Sequence, residues 1–133
     1  MTAREDDGAS SDWRPVAPAA DVVEGRPHAV VVEGNLLVIV RTGETFRAAQ
    51  GLCPHERGDL SSGRVEGGWL VCPRHLLSFD LGSGAPSKGW GVPALKLYPA
   101  RKAGEQIEID AAALRRDPPL GARTVWNLAP GAN

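Results

Sequence analysis

Apolar residues in this chain come in short blocks cut by glycine, proline and asparagine. WRPVA, from Trp13, reads as a first strand, and ADVVEGRP after it as a loop or short turn. HAVVVEGNLLVIVRTGETFRAA then predicts three strands, separated by Glu33-Gly34-Asn35 and Thr42-Gly43-Glu44. Both turns carry the residue types that tight hairpins use for positive φ. HAVVV and LLVIV are unbroken apolar runs, which predicts strands buried in a sandwich or barrel core. From Cys53 to Gly63 the pattern is loop-like. GRVEGGWLVC predicts a hairpin turning at Gly67-Gly68, and SFDLGSGAP a short strand entering a turn. SKGWGVPAL is irregular. KLYPARKAGEQIEID predicts a last hairpin turning at Lys102 to Gly104. Asp110 is placed to cap a single helical turn, AAALRR, which Pro118-Pro119 would end. GARTVWNLAPGAN has no clear pattern, although Trp126 could pin it to the domain.

The expected class is therefore all-β, and 133 residues suit one compact domain with tails. The 27 Gly and Pro residues fit many short strands and turns better than long helices. A net charge of −1 gives no footprint for nucleic acid or an anionic membrane. No apolar run approaches the roughly 20 residues that cross a bilayer. The polar start, MTAREDDGASSDW, has neither an apolar signal core nor twin arginines, so a cytoplasmic, soluble protein is expected. Residues 1–12 read as a flexible tail, 13–110 as the folded domain and 111–133 as a C-terminal extension.

Chemistry concentrates in LCPHERGDLSSGRVEGGWLVCPRHLLSFD, which holds both cysteines and two of the three histidines. Cys53-Pro-His55 and Cys72-Pro-Arg-His75 are two matched groups. The cytosol keeps thiols reduced, so the cysteines read better as ligands than as a disulfide. Zinc accepts two thiolates and two imidazoles, but its common spacing keeps the cysteines together and the histidines together, whereas here they alternate. Iron–sulfur clusters are usually held by four thiolates, and in one variant two histidines replace two cysteines on one iron.

CPHERGDLSSGRVEGGWLVCPRHLLSFD resembles the signature of the Rieske [2Fe–2S] family. The similarity extends from about Trp13 to Asp110 through the strand pattern, the VEGGWLVCP hairpin, the FD-x-GSG turn and a Pro-containing loop. It implies a larger antiparallel, sandwich-like base with a small cluster-binding subdomain. It also implies one [2Fe–2S] cluster per chain, with Cys53 and Cys72 on one iron and His55 and His75 on the other. Imidazole in place of thiolate removes negative charge, so such centres span about −150 to +300 mV, against about −400 mV for plant-type ferredoxins.

The branch within the family is argued from absences. Membrane-anchored Rieske subunits carry an extra cysteine in each ligand loop, joined as a disulfide, where this chain has Gly58 and Arg74. They also place hydroxyls near the cluster sulfurs, where this chain has Leu77 and Phe79. A potential in the lower part of the range follows. Terminal oxygenases need a mononuclear iron on two histidines and a carboxylate, and only His28 remains. The resemblance thus points to a non-catalytic ferredoxin, a one-electron carrier from a flavin-dependent reductase to a terminal oxygenase, expected to be a monomer. Leu76, giving His-Leu after the second loop, leans toward ferredoxins of toluene-monooxygenase type. The alternatives are a small Rieske subunit of a reductase such as nitrite reductase, and a non-redox zinc module. His28, Trp69 and Trp90 read as structural or packing residues. Arg57, Arg74 and Lys88 could form a basic rim, blunted by Glu56 and Asp59. The expected docking tip combines both ligand loops with Gly89–Pro93.

Overall fold

A computed structural model describes residues 11–54, 59–73, 77–87 and 93–119. Nine strands and one α-helix are placed among them: β1 Trp13–Pro18, β2 His28–Val32, β3 Asn35–Thr42, β4 Thr45–Gln50, β5 Arg64–Glu66, β6 Trp69–Val71, β7 Ser78–Asp80, β8 Leu97–Ala103, β9 Gln106–Asp110 and α1 Ala111–Arg116. Six form one sheet in the order β1-β9-β8-β4-β3-β2, and three form a second in the order β5-β6-β7. Every pairing is antiparallel. The larger sheet is the expected base and the smaller one the expected subdomain. No helix among the described residues is long and apolar enough to cross a membrane.

β3 explains why LLVIV is apolar throughout. Leu37 and Ile39 join one core with Ala48, Tyr98, Ile107, Ile109 and Leu114. Val38 and Val40, on the opposite face, join a second core with Ala49, Leu60, Leu70, Leu77 and Phe79. Side chains alternate across a strand, so only a strand covered on both faces needs apolar residues at every position. HAVVV shares that composition but not that fate. It forms β2 at the sheet edge, where Ala29 is exposed and Val31 is 69% exposed. The expectation of a fully buried strand there is corrected: Ala29 and Val31 share a face open to solvent, while Val30 and Val32, on the other face, pack with the base core.

The last hairpin also differs in detail from expectation. Lys102 and Ala103 still pair with Ile107 and Gln106, so the turn lies at Gly104-Glu105 rather than at Lys102 to Gly104. Asp110 caps α1 as expected: its Oδ1 accepts from the N–H groups of Ala112 at 3.0 Å and Ala113 at 3.4 Å. The same oxygen accepts from Asp12 N–H at 2.9 Å, fixing the entry to β1. Arg115 pairs with Glu33 at 3.0 Å and with Asp12, which also holds Arg14 at 2.9 Å. These charges clasp the start of β1, the β2–β3 turn and α1. The Arg14 hydrogen bond, helped by Arg115, holds the Asp12 carboxyl down at about 2. Tyr98 donates its hydroxyl to the Asp117 carbonyl at 2.6 Å, and burial pushes its phenol above the ordinary range. Trp126 and the rest of the C-terminal stretch lie outside the described residues.

Candidate metal centre

The first cysteine loop leaves the base sheet at the end of β4. Gly51 N–H donates to Leu36 C=O at 2.9 Å, keeping the chain against β3 for one residue more. An isolated antiparallel bridge then joins Leu52 to Asp59, and Leu60 N–H donates to Gly51 C=O at 2.9 Å. The loop between is pinched to a neck, with Cys53 immediately inside it. Asp59 secures the returning limb, its Oδ1 accepting from Ser61 N–H at 2.9 Å and Ser61 Oγ at 2.6 Å. The fully buried Leu60 follows, opening a short 3₁₀ turn over Leu60–Ser62.

The second loop is pinched in the subdomain sheet. β6 and β7 pair through Val71 and Ser78, and Cys72 N–H donates to Leu77 C=O at 2.7 Å. Behind β7, Asp80 Oδ1 accepts from Gly82 N–H at 2.6 Å, forming the turn expected from FDLGSG. Ser87 N–H donates to Ser78 C=O at 2.7 Å, and Ser87 Oγ accepts from Ser78 N–H at 3.3 Å. Leu95 N–H donates to Gly84 C=O at 2.7 Å, tying the segment that leads to β8 onto this turn.

Cys53 and Cys72, 19 positions apart in the sequence, come together in one core. Each is 1% exposed, and no disulfide joins them. Leu77 and Phe79, both fully buried, pack in the same core. His55 and His75 lie outside the described residues, as do Glu56, Arg57, Gly58, Arg74, Leu76, Lys88 and Trp90. Among the described residues no group of three or more His, Cys, Asp or Glu gathers to hold a metal. Asp59 is committed to its turn. His28 is half-buried on β2, in a groove of about 390 Å³ shared with Ser61, Ser62 and Gly63. That groove places it beside the stretch following the first loop, closer than its sequence distance suggests. Trp69 was expected to pack, yet it is 37% exposed at the start of β6, where the Gly67-Gly68 turn lifts it away from the core.

The two thiols fit a soft, sulfur-bound metal centre. Two thiol sulfurs, one inside each loop neck, are held in apolar surroundings. Soft thiolate donors select zinc, copper(I) or iron–sulfur clusters over hard cations.

Gln50 carried no distinguishing signal in the sequence. It is fully buried at the last position of β4, donates through Nε2 to Leu52 C=O at 2.7 Å and accepts at Oε1 from Lys96 N–H at 2.8 Å. A lone amide at the end of an apolar strand has no periodicity to mark it.

Residues 12–99 match the family model described as the Rieske [2Fe-2S] domain. The chain is 30% identical over 100 residues to the anthranilate 1,2-dioxygenase ferredoxin subunit of Burkholderia cepacia, covering 75% of this chain and 93% of that one. It is 29% identical over 98 residues to the ferredoxin component of the naphthalene 1,2-dioxygenase system of Pseudomonas putida, covering 74% and 94%. Among solved structures it is similar to the Sphingomonas yanoikuyae B1 ferredoxin, with a TM-score of 0.68 and 27% identity over 74% of this chain and 98% of that one. With the two loop necks, the paired cysteines and a family match over most of its folded part, this chain belongs to the Rieske [2Fe–2S] domain family.

Proposed function

We propose that the chain is a ferredoxin that carries one electron at a time from a flavin-dependent reductase to a terminal oxygenase of the aromatic-dioxygenase kind. The observation that carries this reading is the pair of buried thiols, each just inside a pinched loop and each followed by proline, in a chain of Rieske type. Cys53 and Cys72 are proposed as the thiolate ligands, with His55 and His75 as the imidazole ligands of one [2Fe–2S] cluster. Such a cluster supplies a one-electron couple between about −150 and +300 mV.

The residues around the thiols set the conditions for that couple. Leu60, Leu70, Leu77, Phe79 and Leu95 keep water from the sulfurs. The Leu77 and Phe79 side chains carry no O–H to donate to sulfur, so a potential in the lower part of the Rieske range is expected. The relatives named above serve dioxygenases. Similarity spread over about 100 residues outweighs the single-residue cue at Leu76 toward monooxygenases.

Metal analysis and spectroscopy of the purified protein test the reading. Iron and acid-labile sulfide in equal amounts, a reddish-brown colour and loss of both in Cys53→Ser, Cys72→Ser or His75→Ala are expected. Zinc without sulfide would overturn it in favour of a structural metal module. Reduction by an NADH-dependent flavin reductase, followed by oxidation on adding a dioxygenase, tests the direction of transfer.

A further inference from the structure

Gln50 stands where the base sheet hands the chain to the first cysteine loop. On one side its strand pairs with β3 through Leu37, and on the other its own N–H donates to Lys96 C=O at 3.0 Å. Its side chain reaches in two directions as well. Nε2 donates to Leu52 C=O at 2.7 Å, and Oε1 accepts from Lys96 N–H at 2.8 Å. The residue is fully buried, in a position where a polar side chain is disfavoured unless it is hydrogen-bonded. The amide therefore clips together the neck of the first loop and the segment entering β8. That segment is in turn tied to the second loop's supporting turn through Leu95 N–H and Gly84 C=O at 2.7 Å.

We infer that Gln50 is a positioning residue for the redox centre, one that holds Cys53 in place and tunes the electron affinity at its sulfur. The inference rests on the ligand assignment proposed above. The Leu52 carbonyl belongs to the peptide unit whose N–H is that of Cys53. Donation from Nε2 polarises this unit and turns the positive end of the amide dipole toward the cysteine side. A positive dipole end near a centre that gains an electron stabilises its reduced state. Removing it lowers the potential, and releasing the neck broadens the range of geometries at Cys53.

The test compares holoprotein with Gln50→Met, which keeps the volume and loses both hydrogen bonds, and with Gln50→Glu, which keeps the acceptor for Lys96 and loses the donor to Leu52 when ionised. Spectroelectrochemical titration and the electron paramagnetic resonance of the reduced state are the readouts. In Gln50→Met the one-electron reduction equilibrium should weaken at least threefold, about 28 mV at 59 mV per tenfold. The spectrum should shift or broaden, and Gln50→Glu should weaken the equilibrium at least as much. If Gln50→Met does not fold, Gln50→Leu, neutral and likewise without the donor, carries the test in its place. An unchanged potential and spectrum with only a lower melting temperature would overturn the inference, leaving Gln50 as a packing residue. Failure of the ligand reading shows separately, as wild-type protein without iron and sulfide.

Discussion

Gly63 sits three residues after Leu60 and one before β5, where its α-carbon passes the carbonyl of Val71. A Cβ added there would lie 1.9 Å from the Val71 carbonyl oxygen, well inside the 3.0 Å limit that real contacts respect, and 3.1 Å from the carbonyl carbon. Gly63 has a negative φ of −87°, so the close approach, not a left-handed backbone, is what excludes a side chain. Gly63→Ala must therefore push the Val71 carbonyl away by more than an ångström. Val71 is bonded to Cys72 and pairs with both Arg64 and Ser78, so the displacement reaches the second cysteine neck directly. Overpacking costs about 1–3 kcal/mol. A strained or lost hydrogen bond at the Arg64–Val71 pair adds about 0.5–1.5 kcal/mol. A total of roughly 2–4 kcal/mol lowers the melting temperature by roughly 10–25 °C in a domain of this size. Iron bound per chain should fall along with it. Gly67→Ala is the control: φ is +54°, nothing lies within 4 Å of the added Cβ, and only backbone strain of about 1–2 kcal/mol is expected, with iron retained. Thermal melts and iron assays on the two variants decide the matter. Gly63→Ala with full iron and a melting temperature no lower than that of Gly67→Ala would refute the close-approach argument.

Asp110→Ala removes an N-cap and the acceptor of Asp12 N–H together, and a loss of about 2–3 kcal/mol is expected in urea unfolding, with cluster content unchanged. Asp110→Asn, which keeps the acceptor oxygen, should recover most of it. The Asp12 carboxyl is held at about 2, chiefly by its hydrogen bond from Arg14 and then by Arg115. A depressed folded-state value gives stability that is present above the ordinary carboxylate value, about 3.9, and lost as pH falls toward about 2. Asp12→Asn should therefore flatten acid unfolding in that window alone, and an unchanged slope there would count against the clasp. Removal of the cluster by chelation should lower amide protection in β5–β7 more than at Leu37–Val40, because the ligands proposed above come from loops on two sheets and would tie the smaller one to the larger. Hydrogen exchange giving an equal loss in both would contradict that coupling.

Most of the strands were legible because turn residues punctuate the chain and the β period is short. The hairpin at Gly67-Gly68, the FDLGSG turn and the Asp110 cap each depend on residues adjacent in sequence, and local chemistry decides them. What escaped depends on topology. HAVVV and LLVIV are alike in composition, yet Val31 is 69% exposed while Val38 is fully buried. The difference is which strand has neighbours on both edges and cover on both faces, and no window of residues contains that. The same holds for Trp69, whose exposure follows from its place beside the turn at the outer end of β6. The turn of the last hairpin lay a residue or two further on than its composition suggested, because the pairing of Ala103 with Gln106 sets it.

The candidate site divides in the same way. Its thiols were legible because each heads a matched local group in the sequence, and the fold brings Cys53 and Cys72 into one core. Its supports were not, because the two necks are built from different sheets. The first is held by Gly51 on Leu36, Leu60 on Gly51 and Gln50 on Lys96, all contacts made to the base. The second is held by Cys72 on Leu77 and Gly84 on Leu95, contacts made within the subdomain and its turn. Leu95 and Lys96 are adjacent, so one short segment donates a backbone hydrogen bond to each support, to Gly84 C=O and to Gln50 Oε1. A pair of loops that must clasp one group between them needs their spacing fixed, and the two supports meet at the successive N–H groups of Leu95 and Lys96. On the inference above, a glutamine three residues before Cys53 thereby bears on the spacing of the two loops.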